Sequence, residues 1–152
     1  MKRALLRLGL LAVFLIAAHP VVASNPVIVG EISGVEVCVQ IACGAAVFTG
    51  TCDCRIDNRA SPGFFWVSVQ HEPLDPPKPS AIFDGKWTLT TLRGNFSGKV
   101  IEGTIVNIAE NVFRVTARLR LRKGGAGDFF VIGDLDHNDL PITFEGDLVQ
   151  QP

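Results

Sequence analysis

The sequence predicts an all-β fold, a single antiparallel meander closing into a barrel-like sheet, with a two-sheet β-sandwich as the alternative. Three observations point there. Apolar and polar residues alternate with period two through most of the chain, and no stretch after the N-terminal segment repeats at helical spacing. Glycine and proline, 15 and 9 of them, punctuate the alternating runs. Interior glycines recur within the later runs, which suits strands that coil about a common axis.

The first segment stands apart. Lys2, Arg3 and Arg7 precede an apolar run from Leu8 to Ala18, which ends at His19-Pro20, and Val21-Val22-Ala23 follows. This is the three-part plan of a secretory signal peptide over 1–23, and the run is shorter than the roughly 20 residues of a membrane helix. The expectation is one all-β domain over 24–152, secreted or periplasmic, with no membrane span in the mature protein. Hydrophobic residues make up 47% of the chain and charged ones 19%, enough apolar surface to offset ordering entropy, so a disordered chain is excluded. A formal charge of −1 argues against a generally basic nucleic-acid binder, and no nucleic-acid partner is expected.

Strands are expected at 27–33, 35–41, 46–55, 64–70, 86–92, 99–108, 112–122, 128–136 and 142–149. The run Val35-Glu36-Val37-Cys38-Val39-Gln40-Ile41 alternates, as does Phe113 to Arg122. Between 70 and 86 the segment Glu72 to Pro79, with prolines at 73, 76, 77 and 79, should be extended and stiff. The four cysteines, Cys38, Cys43, Cys52 and Cys54, read as two disulfides in an exported protein. Hairpin register favours Cys38 with Cys54 and Cys43 with Cys52, whereas Cys52 with Cys54 would close a very tight loop. Their spacing fits no usual zinc site.

The last four strands can be put in register. A three-residue turn, Ala109-Glu110-Asn111, sets Gly103 opposite Ala117, Ile105 opposite Val115 and Glu102 opposite Arg118. Matching apolar faces then sets Ala117 opposite Gly133, with Arg114 meeting Asp136 and Arg122 meeting Asp128. The final hairpin sets Gly133 opposite Gly146 and Asp134 opposite Glu145. A row of small residues, Gly103, Ala117, Gly133 and Gly146, then crosses four strands. With Trp66 and Trp87 it marks a place where an apolar ligand could lie inside the sheet, unless aromatic side chains fill the space.

Candidate chemistry is sparse. Asp134-x-Asp136-x-Asn138, followed by Glu145, matches oxygen-ligand positions of a calcium-binding loop, so calcium is a candidate cofactor. Asp139 stands where the sharp turn of such a loop wants glycine, and the flanks read as strands. Arg114, Arg118, Arg120 and Arg122 form a basic stripe with acidic neighbours across the sheet. His71-Glu72 ends a strand and is the one candidate acid–base pair. Asn95-Phe96-Ser97 has the form of a glycosylation sequon. Gly85-Lys86-Trp87 is similar to the Gly-x-Trp element of lipocalins; there it belongs to the first strand, and here too little chain follows it for eight strands. The functional expectation is a non-enzymatic binding or structural domain with partners unknown. The alternatives are a small barrel enzyme or isomerase acting on an apolar substrate, and an outer-membrane β-barrel.

Overall fold

The computed structural model describes residues 25–38 and 44–150; the leader segment 1–23 and Cys43 lie outside them. Nine strands follow in order: β1 (Ile28–Cys38), β2 (Ala45–Ile56), β3 (Arg59–Ala60), β4 (Gly63–His71), β5 (Ser80–Thr91), β6 (Gly94–Ala109), β7 (Val112–Lys123), β8 (Gly127–Asp136) and β9 (Thr143–Gln150). Among the described residues there is no helix, and so none long and apolar enough to cross a membrane. Each long strand pairs antiparallel with the next, and β9 returns to pair with β1. Eight strands therefore close into a barrel, while the two-residue β3 hangs from the end of β2 outside the ring. The meander is a barrel, not a sandwich.

Alternation explains which way each strand faces. Along β7, Phe113, Val115, Ala117, Leu119 and Leu121 are buried, while Arg114, Arg120 and Arg122 are exposed. The interior is apolar, and its largest fully buried side chains are Trp87, Phe129, Ile28, Leu89, Leu119 and Leu135. Phe48 packs on Phe144 with ring centroids 5.6 Å apart, and Trp87 meets Phe129 edge-on at 6.3 Å. Such contacts add to the burial of the rings themselves.

Two expected strands are one. The described parts of the segments 27–33 and 35–41 form the continuous β1, Ile28–Cys38, which runs through Gly34; 39–41 lie outside the described residues. A side chain at Gly34 would meet Gly50 Cα at 2.7 Å, so glycine lets β1 and β2 approach closely. The phase set by the buried Ile28 and Ile32 then carries through. Glu36 turns inward and Val37 outward, 53% exposed, against the appearance of the valine run.

The registers of β6 with β7 and β8 with β9 agree with expectation: Gly103 faces Ala117, Ile105 faces Val115, and Asp134 faces Glu145. Asn111 holds the first turn with φ 57°, the left-handed backbone that asparagine tolerates. A bulge between Val100 and Glu102 leaves Ile101 without a partner on β7, and Val100 stands opposite Leu119. Between β7 and β8 the register differs by two residues: Ala117 faces Val131, and Val115 faces Gly133. A slip of two keeps every side chain on its own face, so the hydrophobic pattern does not oppose it. The charges re-pair instead. Arg114 donates two hydrogen bonds to Asp134, at 2.8 and 2.9 Å, and Arg120 two to Asp128, at 2.9 and 3.0 Å.

The expected cysteine pairing is also corrected. The β1–β2 register sets Cys38 opposite Ala46 and Cys54 opposite Gly30, so Cys38 and Cys54 are far apart along the hairpin. Cys52 and Cys54, two residues apart and both buried inward, form a close pair with Cα atoms 5.1 Å apart. Alternation puts them on one face, which is what brings their sulfurs together.

Candidate functional site at one end of the barrel

The interior leaves little room. The small-residue row splits into Gly103 with Ala117 and Gly133 with Gly146, offset by one pair. The space beside Gly133 is taken by the Phe144 ring, whose Cζ stands 2.6 Å from where a Cβ would be. Trp87 is buried against Gly98 and donates its indole N–H to the Arg120 carbonyl at 3.3 Å, whereas Trp66 points outward, 37% exposed. Trp66 and Trp87 thus lie on opposite faces of the barrel wall. Ala117 lines a void among Phe48, Phe65, Ile82, Val115 and Phe144 of about 20 Å³, room for one water-sized sphere.

The acidic loop does not gather into a cation cage. Asp134 does face Glu145, but the Arg114 guanidinium clamps it and holds its carboxyl below the usual carboxylate range. Asp136 accepts the Asn138 backbone N–H at 2.8 Å, and the Asn138 side chain turns to Asn111 and to the Glu110 carbonyl. Among the described residues no three His, Cys, Asp or Glu side chains are placed to hold a metal ion. His71 and Glu72 likewise do not pair through their side chains. His71 Nδ1–H donates to the Glu72 backbone carbonyl at 2.6 Å, while the Glu72 carboxylate accepts the Ala81 N–H at 3.3 Å.

What the fold assembles instead is a pair with buried tips. Glu36 enters from β1, where its N–H donates to the Ile142 carbonyl at 2.9 Å. His137 follows β8, its N–H donating to the Asn111 carbonyl at 2.8 Å and its ring tilted over Phe113 at 4.9 Å. Their polar tips, Glu36 Oε2 and His137 Nε2, stand 3.3 Å apart. The Glu36 side chain is 7% exposed and the His137 side chain 25% exposed, and neither atom completes a hydrogen bond. His71 and the apolar Leu74, Ile105, Leu135 and Ile142 enclose a void of about 20 Å³ beside them.

Burial decides the charges. Desolvation pushes the Glu36 carboxyl up to about 7, because an ionised carboxylate loses its water there. The same cause lowers the His137 imidazole, with Asp136 opposing in part. Both groups are thus driven toward their neutral forms. Leu74 reaches this end from the proline-rich segment 72–79, and Ile142 from the loop before β9, so two non-strand segments cover the pair.

Glu36 and His137 were not singled out by the sequence. Only the parity of Ile28 and Ile32, carried through Gly34, would have turned Glu36 inward. No family model, curated protein or solved structure matches this chain.

Proposed function

We propose that this protein is an exported, non-catalytic barrel that binds a small ligand at the end closed by Glu36 and His137. One observation carries the reading: two buried polar atoms face each other at 3.3 Å without completing a hydrogen bond, against an apolar-walled void. Leaving a buried polar group unpaired costs about 1–3 kcal/mol, a cost that a ligand hydroxyl or carboxamide would remove by bonding to both tips. The void admits only the polar head; an apolar remainder would enter where Leu74 and Ile142 now lie. Export is supported by the leader pattern of residues 1–23. A lipid-embedded barrel needs the opposite polarity, apolar outside and polar within.

The test is native mass spectrometry of the protein purified from its own host, with Glu36→Leu beside it. The expected result is a retained small molecule on the wild-type chain that is absent from the variant. An unliganded wild-type chain, together with a variant that is less stable than it, would overturn the reading, since the carboxyl would then serve packing alone. A second reading, proton transfer on an apolar substrate, is favoured by the opposite shifts that bring both groups toward neutrality. It predicts turnover of an enolisable apolar ketone that falls in both Glu36→Gln and His137→Gln.

A further inference from the structure

The outer wall carries two rows of like charge whose places around the ring are related. Asp53 on β2, Glu31 on β1 and Asp147 on β9 face one another in register, all exposed. Lys86 on β5, Lys99 on β6 and Arg120 on β7 form the matching basic row, also exposed. In the closed order of eight strands, β1 and β6 are four steps apart in either direction. The centres of the two rows therefore lie on opposite sides of the barrel.

Neither row is neutralised within the barrel, with one exception. Arg120 is paired with Asp128; among the described residues Glu31, Asp53, Asp147, Lys86 and Lys99 take part in no ion pair. Like charges directly opposite each other on a sheet cost stability, so both rows are unfavourable in an isolated molecule. The acidic side also carries a shallow open groove of about 590 Å³ over Ser33 and Thr51, lined by Glu31, Asp53, Glu145 and Asp147 and by Asp134, which Arg114 already holds. Lysine side chains, long and flexible, can reach into such a groove.

We propose that copies of this chain associate head to tail, the acidic groove centred on β1 of one barrel receiving the Lys86–Lys99 row of the next. A two-fold dimer would bring like charge onto like charge at either face. Because the two faces lie on opposite walls, each copy offers one of each, and the contact is heterologous and propagates along a file of barrels. The occupant is a second copy because the chain itself carries the complementary row.

Sedimentation of the purified protein tests this. At low salt the weight-average mass should rise above that of the monomer with concentration, and it should return to the monomer near 1 M salt, where the screening length falls to about 3 Å. Glu31→Lys with Asp147→Lys, and separately Lys86→Glu with Lys99→Glu, should each remain monomeric. Mixed in equal amounts, the two variants should associate again, which misfolded chains would not do. A wild-type protein that is monomeric at every salt, a mixture that stays monomeric, or association that survives high salt would overturn the proposal. Binding of polylysine without self-association would also overturn it, by assigning the groove to a foreign polycation.

Discussion

At the scale of the residue, Glu36 is the position where fold and chemistry conflict. Its unfolded carboxyl titrates near 4.5 and its folded one near 7, so between those values the native chain holds a proton that the unfolded chain has released. Stability contributed by Glu36 is therefore complete below about pH 4.5 and is lost as pH rises through 7, with a slope approaching about 1.4 kcal/mol per pH unit. His137 acts in the other direction. Its folded value is lowered from 6.5, so its contribution is present above 6.5 and is lost as pH falls below it. Urea denaturation of Glu36→Gln from pH 5 to pH 8 should show the falling slope removed, and His137→Gln should show the low-pH loss reduced. Unchanged profiles would mean that the pair is solvated. The aromatic filling makes a separate prediction. Phe129, 1% exposed and packed on Trp87, should cost about 3–5 kcal/mol on change to alanine, read from the shift in urea midpoint.

At the scale of the element, legibility depended on whether a wrong choice would have moved side chains to the wrong face. The hairpins β6–β7 and β8–β9 were readable because the Asn111 turn fixes the first, and alternation on both strands of each keeps Ile105, Val115, Leu135 and Phe144 inside. The β7–β8 pair was not readable. Its alternatives differ by two residues, preserve both faces, and offer Arg114 a carboxylate at either Asp134 or Asp136. Glu36 was hidden for a related reason: the valines at 35 and 37 imitate an inward face, and only the long continuation of β1 reveals their true phase. Turn chemistry was more transparent. Asn111, at φ 57°, should tolerate glycine, whereas Asn111→Ala should lose roughly 1–2 kcal/mol, measurable as a lowered melting temperature. Gly34→Val should be worse, because its side chain would collide with the backbone of Thr49 and Gly50.

At the scale of the whole molecule, closure was anticipated from coiling glycines and a continuous meander, but the partner strands that complete it were not. The acidic groove across β2, β1 and β9 exists only because the ends of the sheet meet. Native-state hydrogen exchange gives a direct measurement. Amides of β1 from Gly30 to Val35, bonded on both sides to β2 and β9, should be protected as strongly as those of β6. Rapid exchange confined to β1 and β9 would mark them as open edges.

The seam between Gly30 and Leu148 has an engineering corollary, since it leaves the start of β1 beside the finish of β9. A short linker could splice residues 25 and 150, and new termini could be cut at the Gly124–Gly125 bend between β7 and β8. The ring of eight would be traversed from a different doorway with every neighbour retained. Such a permuted gene should yield a protein with the parent's circular dichroism.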